Sequence, residues 1–168
     1  MDDAEFMQRA LALARQGLAE GAMPIGAVLA RRGQVLAESF WKGAEHGLLD
    51  HPDSVVLREV DRWIDFRGRR ESTLYLTLEP CLMCMGTAMS FFLGRIVYAM
   101  PARADGASRV AEVWAPAAGH PSSGGAYAVP VVEGGVYETE ARRLVVQWLE
   151  GGASGPEADF ARRLLEPA

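Results

Sequence analysis

The sequence predicts an α/β protein in which one mixed sheet lies between helices. Two observations lead to this prediction. Helical and strand-like patterns follow one another in the order helix, strand, strand, helix, strand, helix, strand, strand, helix, which is typical of an α/β fold. The chain has 168 residues and is 49% apolar, so its length and composition suit a single domain with a sizeable core.

The elements of the first half of the chain are predicted from hydrophobic spacing and from glycine and proline. Apolar residues recur at helical intervals near the N-terminus until Gly21, which is expected to end the helix. Pro52 suits the first turn of a helix, because that turn makes no use of the missing N–H. The predicted elements are a helix over 3–20, strands over 24–30 and 35–39, a loop over 40–50, and a helix over 52–65.

The second half of the chain contains one segment that the pattern leaves open. Residues 101–126 are rich in Gly, Ala, Pro and Ser and are too long for a usual connector. Either a short helix over 108–114 interrupts this segment, or the segment forms a functional lid. The other predicted elements are a loop over 66–71, strands over 73–78, 95–99 and 129–132, and helices over 80–94, 138–149 and 156–166.

Composition and charge argue against several functional classes. No apolar run approaches the ~20 residues that a membrane span needs, and the acidic N-terminus does not resemble a signal peptide. We therefore expect a cytoplasmic protein. The net charge is −5, and an acidic domain is a poor scaffold for a polyanion, so a nucleic-acid partner is not expected.

The chemistry is concentrated around the two cysteines, which lie in the stretch Glu79-Pro80-Cys81-Leu82-Met83-Cys84. His51 precedes Cys81 by 30 residues and begins the sequence His51-Pro52-Asp53. Two thiolates and one imidazole form a catalytic type of zinc set, in which the fourth position is left for water. At the start of a helix, the spacing of Cys81 and Cys84 places both sulfurs on one face, and the helix N-terminus favours both thiolates.

Other interpretations of these residues stay open at this point. The cysteines could form a redox pair with a reversible disulfide and no metal. A structural zinc site would need a fourth protein ligand, for which His46 or Asp50 could serve. Asp53 could be a carboxylate that caps backbone amides at a helix start.

These motifs resemble the zinc-dependent nucleobase deaminases, whose signature is H-x-E followed by P-C-x-x-C. The stretches 72–98 and 24–28 are most similar to the tRNA adenosine deaminase and guanine deaminase branch of the cytidine/deoxycytidylate deaminase-like superfamily. The resemblance implies a cytidine deaminase-like fold, which is a three-layer α/β/α sandwich around a central mixed five-stranded sheet. It also implies that residues 1–168 form a single zinc-dependent deaminase domain and that the protein is a homodimer.

The resemblance further implies a site and a reaction. His51, Cys81 and Cys84 would bind one Zn²⁺ per chain, and a zinc-activated water would attack the ring carbon that carries the amino group. Asp53 would carry the proton to the ring nitrogen and then to the departing ammonia. Glu79 is expected to be structural and to hold the turn before the cysteines.

Asp53 is a departure from the family pattern, which has glutamate at this position. Aspartate is one methylene shorter, so its reach falls by about 1–1.5 Å, whereas proton transfer needs heavy atoms about 2.6–3.2 Å apart. Two hypotheses follow. The first is an active deaminase, and the alternative is a catalytically degenerate subunit of the same fold that binds zinc for structure.

The substrate pocket is a second departure. Purine-binding members of the family carry an asparagine where this chain has Ser39-Phe40-Trp41-Lys42. The candidate substrate-binding residues are Ala27, Phe40, Trp41 and Pro80. The stretch 67–70 is interpreted as a short basic loop in solvent. We therefore expect a nucleobase, a nucleoside or a related small amino-heterocycle as substrate, rather than a nucleic acid.

Overall fold

The computed structural model describes residues 1–113 and 125–166. A 3₁₀ turn at Ala44–His46 lies between the second strand and the second helix. The helices and strands of the described residues are α1 (Asp3–Ala19), β1 (Gly26–Arg31), β2 (Gln34–Phe40), α2 (Pro52–Asp61), α3 (Phe66–Arg70), β3 (Ser72–Leu78), α4 (Leu82–Ser90), β4 (Arg95–Met100), α5 (Val110–Val113), β5 (Val131–Gly134), α6 (Glu138–Glu150) and α7 (Pro156–Leu165).

The five strands form one mixed sheet in the order β2-β1-β3-β4-β5. β1 pairs antiparallel with both β2 and β3, while β3, β4 and β5 run parallel. Because strand side chains alternate between the two faces, Val28 and Val97 pack with α1, α6 and α7, and Leu29 and Ile96 pack with α2 and α4. The predicted three-layer α/β/α sandwich around a five-stranded mixed sheet is confirmed.

The site-bearing helices α2 and α4 lie on the same face of the sheet and share one core. Val56, Leu57 and Val60 of α2 and Met85 and Ala88 of α4 are all essentially inaccessible to solvent. A close-packed core of this kind holds side chains to a single arrangement. The N-termini of the two helices are thereby held beside the carboxyl end of β3.

The predicted loop over 66–71 is wrong, because residues 66–70 form the short helix α3. Asp65 caps this helix, and its side chain accepts a hydrogen bond from the Gly68 N–H at 2.6 Å. The arginines of α3 are engaged within the molecule: Arg69 pairs with Asp61, and Arg70 donates to the Leu93 carbonyl oxygen. The stretch 67–70 is therefore a helix rather than a loop, although Arg67 and Arg70 are exposed to solvent.

The second helix is shorter than predicted. α2 ends at Asp61 rather than near residue 65, so Trp63 lies beyond the helix and its side chain is 61% exposed. The prediction that Trp63 belongs to the apolar face of this helix is wrong, because the helical register does not continue to it.

The segment that follows β4 contains a helix, as one of the two predictions proposed. α5 covers residues 110–113, within the predicted range of 108–114, whereas residues 114–124 lie outside the described part of the chain. Among the described helices, none is both long enough and apolar enough to cross a membrane.

Candidate zinc and catalytic site

His51 stands at the start of α2 and is held there by local backbone geometry. It is the N-cap residue, Pro52 occupies the first helical position, and the His51 carbonyl oxygen accepts from the Val55 N–H at 2.9 Å. The rings of His51 and Trp41 pack edge to face, with their centroids 5.4 Å apart. The imidazole is half-buried, with its orientation set by the helix start and by the indole.

The two cysteines stand at the start of α4, directly after β3. Cys81 is the N-cap residue, and its carbonyl oxygen accepts from the Met85 N–H at 2.9 Å. Cys84 lies in the first turn and is buried. The predicted placement of both sulfurs on one face of a helix start is therefore confirmed.

The three donor atoms are spaced as zinc ligands require. His51 Nδ1 lies 3.6 Å from Cys81 Sγ and 3.4 Å from Cys84 Sγ, and all three atoms lie within 4.8 Å of one another. Tetrahedral zinc with ordinary Zn–N and Zn–S bond lengths places such N and S atoms about 3.5 Å apart. The donor set therefore fits one zinc ion.

Within residues 1–113 and 125–166, the structure shows no fourth protein ligand. The three-residue cluster is the metal-binding group found among the described residues. His46 lies in the exposed 3₁₀ turn beside Glu45, and Asp50 pairs with Arg58. A set of three protein donors with an open fourth position is the catalytic pattern rather than the structural one.

The two thiols differ in their tendency to ionise. Hydrogen bonding from Cys84 lowers the pKa of Cys81 to about 4, and His51 acts in the same direction. Hydrogen bonding to Cys81, together with burial, raises the pKa of Cys84. The two sulfurs thus share a proton, and zinc binding would release it.

Asp53 is a buried carboxylate that lies against the metal donors. Asp53 is 7% exposed, and burial raises the pKa of its carboxyl group. Oδ1 accepts from the Cys84 thiol at 3.0 Å and from the Ser54 N–H at 3.1 Å. The contact with the Ser54 N–H agrees with the interpretation of Asp53 as a capping carboxylate. The contact with Cys84 also makes Asp53 part of the zinc site.

Ser54 is a site residue that the motif does not indicate. It is buried, and its Oγ lies 3.5 Å from Cys84 Sγ. A hydroxyl in this position can donate a hydrogen bond to a thiolate. In the sequence, the one indication that Ser54 belongs to the site is its position directly after Asp53. Its contact with Cys84 depends on the tertiary packing of α2 against α4.

A cavity of about 460 Å³ opens over the zinc donors and Asp53. Its walls are mainly apolar, with several carboxylates among them. The lining residues are Met23, Ile25, Trp41, Ala44, Leu48, His51, Pro52, Asp53, Leu76, Leu78, Glu79, Cys81, Asp105, Pro156, Glu157 and Phe160.

Of the four predicted substrate-binding residues, the structure places Trp41 in the cavity wall. Ala27 is completely buried in β1, and Phe40 lines a neighbouring groove. Pro80 is buried, and its carbonyl oxygen accepts from the Ala107 N–H at 2.9 Å. None of these three residues lines the cavity.

Glu79 lines the cavity and has a structural role, but it holds the loop after β4 rather than the turn before the cysteines. Its carboxylate accepts from the Ala102 N–H at 3.0 Å, from the Ser108 N–H at 3.2 Å and from the Ser108 hydroxyl at 2.5 Å. It thereby fixes the loop after β4, which brings Asp105 to the cavity. Asp105, Glu157 and Phe160 are distant from the cysteines in sequence, so sequence reasoning missed them.

Residues 1–100 match the family model described as the cytidine and deoxycytidylate deaminase zinc-binding region. A tRNA(Ile)-lysidine synthase of Deinococcus radiodurans is 33% identical over 142 residues, which are 83% of this chain and 23% of that protein. A tRNA-specific adenosine deaminase of Bacillus subtilis is 30% identical over 97 residues, which are 57% of this chain and 60% of that protein. The matched regions thus span less than two thirds of these curated relatives.

Solved structures give a consistent result. A tRNA:A34 deaminase, from a study of A-to-I editing at the wobble position of transfer RNA, superimposes with a TM-score of 0.68 at 28% identity, covering 83% of this chain and 98% of that chain. A guanine deaminase of Nitrosomonas europaea superimposes with a TM-score of 0.63 at 17% identity, covering 88% and 84%, and supports the fold alone. The family match covers well over half of the chain and includes all three zinc donors, so the chain belongs to the cytidine and deoxycytidylate deaminase family with its zinc-binding region.

Proposed function

We propose that this protein is a zinc-dependent hydrolytic deaminase of a nucleobase, a nucleoside or a related amino-heterocycle. One observation carries the proposal: a zinc donor set and a buried carboxylate meet at the wall of one cavity. His51, Asp53 and Cys81 all line this cavity. A cavity of about 460 Å³ has the size usual for a small-molecule site.

The reaction adds water to a ring carbon and releases ammonia from it. Zinc, when bound, supplies the Lewis acidity that activates water near neutral pH. Asp53 would take up one proton from the attacking water and pass it to the ring nitrogen. It would then take the second proton from the hydroxyl group now on the ring carbon and give it to the amino group, which leaves as ammonia when the C–N bond breaks. Because Asp53 is buried, bulk water is largely excluded from the carboxylate that moves these protons.

The position of Asp53 supports an active site despite the shorter side chain. Asp53 Oδ1 lies 3.0 Å from Cys84 Sγ, so the carboxylate already reaches the metal donors. α2 holds it there, because Pro52 begins the helix and Val56 and Leu57 anchor it in the core. This placement favours the active deaminase over the degenerate subunit.

There are two candidate substrates: a free small compound and an adenosine within tRNA. The names of the relatives favour an adenosine within tRNA, since the matches include a tRNA-specific adenosine deaminase and a tRNA:A34 deaminase. The carboxylates of the cavity favour a free compound, because a polyanion would be repelled by them. We propose the free base, nucleoside or related small heterocycle as substrate, with adenosine in tRNA as the second candidate.

Ammonia release from zinc-loaded protein tests this function. The panel includes adenine, guanine, cytosine, their nucleosides, aminated triazines and pterins, and a tRNA that carries adenosine at the wobble position. We expect turnover of at least one compound and a loss of about 10²–10⁴-fold in kcat for Asp53→Asn. Asp50→Asn is the matched control, because Asp50 is an exposed carboxylate of the preceding loop that pairs with Arg58 and should leave turnover unchanged.

The alternative function makes the opposite prediction. A degenerate subunit would bind zinc stoichiometrically and release no ammonia from any member of the panel, including the tRNA. Equal turnover by the parent and by Asp53→Asn would contradict the assigned role of Asp53. A protein with no zinc and a reversible Cys81–Cys84 disulfide would instead be a redox pair.

We also propose a cytoplasmic homodimer. Both cysteines are free, which suits a reducing compartment. A groove of about 530 Å³ lies between α2 and α4, where a side chain at Gly86 would meet no atom within 4 Å, and the neighbouring Leu82 is exposed. A second copy of the chain would cover this surface. Light scattering should give twice the mass of the chain, and Leu82→Glu should shift it to the monomer.

A further inference from the structure

The C-terminal helix α7 supplies one wall of the cavity. Pro156, Glu157 and Phe160 line the cavity from its first turns. On the opposite face of α7, Ala158, Ala161 and Leu164 are completely buried in the core that includes α1 and α6. The helix is therefore anchored to the body of the protein, and the side chains that it presents to the cavity are held in place.

Glu157 is tied to the zinc site through one aromatic ring. Its Oε1 accepts from the Trp41 Nε1–H at 3.3 Å and from the Ala44 N–H at 3.1 Å. The Trp41 ring in turn contacts the ring of His51. Both protein donors go to Oε1, and within the described part of the chain Oε2 receives no hydrogen bond, so this oxygen is left to accept from a ligand in the cavity.

The cavity is acidic, and this property limits what can bind in it. Carboxylates of Asp53, Glu79, Asp105 and Glu157 lie in its wall, and the described lining residues include no lysine or arginine. Residues 114–124 contain neither of these residue types in the sequence. A phosphate group beside Asp105 and Glu157 would meet like charges and no lysine or arginine of the described lining, so the positive charge available to it would be that of the zinc site itself. An uncharged ring with N–H groups would instead meet acceptors.

We propose that Glu157 is the specificity-determining residue of this site, accepting a hydrogen bond from an N–H or hydroxyl group of an unphosphorylated base or nucleoside. This inference rests on the proposed function and names its substrate class. An adenosine within tRNA carries phosphates on both sides of its ribose, so the inference favours the free compound. The acidic wall opposes nucleotides, and the free Oε2 of Glu157 orients the compound that enters.

Binding measured by calorimetry tests the inference without any need for turnover. The probes are adenine, guanine and cytosine, each as base, nucleoside and nucleoside 5′-monophosphate, titrated into zinc-loaded protein. We expect at least one base or nucleoside to bind about tenfold or more tightly than its monophosphate. Glu157→Gln retains the carbonyl oxygen that Trp41 and Ala44 need but replaces Oε2 with an NH₂ donor, so binding of that compound should weaken about tenfold.

A matched control and two further readouts separate recognition from a structural role. Asp159→Asn removes the same charge from an exposed position on α7, where Asp159 pairs with Arg162, and should change neither affinity nor selectivity. Zinc content should be equal in the parent and in Glu157→Gln. The preference for the nucleoside over its monophosphate should narrow in Glu157→Gln, which a merely structural effect would not produce.

Each outcome decides the inference separately from the proposed function. Weaker and less selective binding by Glu157→Gln supports the inference even if no ammonia is released, in which case the proposed function fails alone. Turnover with unchanged binding in Glu157→Gln overturns the inference alone. Equal or tighter binding of the monophosphates, binding of none of the nine probes, or deamination of tRNA with no free compound turned over would also overturn the inference.

Discussion

At the scale of single residues, the site depends on contacts between side chains from two helix starts. His51, Asp53 and Ser54 come from α2, and Cys81 and Cys84 come from α4. Asp53 and Ser54 both contact Cys84 Sγ, one through a carboxylate oxygen and the other through a hydroxyl. Cys84 is thus the donor that the surrounding polar groups orient.

Ser54→Ala should weaken zinc binding. Removal of a hydrogen bond to a metal ligand typically lowers metal affinity by about 10–100-fold, because the ligand loses its orientation and charge support. Competition with a chelator of known affinity measures the change. Ser72→Ala is the control, since Ser72 is also buried but donates to the Gly68 carbonyl oxygen far from the cysteines. Equal zinc affinity in Ser54→Ala and in the parent would remove Ser54 from the site.

At the scale of elements, α3 and the neighbouring strands are joined by a cluster of charges around Glu71. Arg31 and Arg32 reach Glu71 from the β1–β2 hairpin, and Arg67 reaches it from α3. Hydrogen bonds from Arg31, then Arg67 and Arg32, lower the pKa of Glu71 from 4.5 to about 2. Arg67, from the stretch that was predicted as a basic loop, is thus an exposed side chain that pairs with Glu71.

This cluster should contribute a pH-dependent part of stability. Glu71 binds its proton less tightly in the folded state, so its ionised form stabilises the fold above pH 4.5, and this contribution is lost as the pH falls toward 2. Glu71→Gln should lower the melting temperature at pH 7, and the difference from the parent should shrink steadily as the pH falls from 4.5 toward 2. Thermal melts across that range measure this.

Glu59→Gln is the control for the Glu71 prediction. Glu59 is an exposed carboxylate on α2, so its replacement should cause little change at any pH in the same range. A difference between Glu71→Gln and the parent that grows as the pH falls would contradict the assigned role of the three arginines.

At the scale of the whole molecule, zinc would join two helices that contact each other through the shared core. α2 and α4 pack together on one face of the sheet, and the three donor atoms lie between their N-termini. A metal bound there by the folded state and not by the unfolded chain stabilises the fold by mass action. The core itself is formed by apolar packing on both faces of the sheet, which does not require the metal.

Removal of zinc by a chelator should therefore lower the melting temperature without abolishing the fold. The far-ultraviolet circular dichroism spectrum should be retained, and returning one equivalent of Zn²⁺ should restore the melting temperature. In His51→Ala, which lacks one zinc donor, the addition of Zn²⁺ should raise the melting temperature less than in the parent. An identical melting temperature with and without zinc in the parent protein would contradict a folded-state zinc site.

The sequence by itself predicted the strands and most of the helices from local pattern, and its resemblance to the deaminases indicated the three zinc donors and Asp53 as the shuttle candidate. The helix start with Pro80 and Cys81 and the one with His51 and Pro52 are signals of this kind. Only the tertiary structure decided that α3 is a helix, that Phe40 lines a neighbouring groove rather than the cavity, and that Ser54 and Glu157 lie at the site. Glu157 is more than 70 residues from Cys84 in the chain, and only the packing of α7 against the core brings it to the cavity.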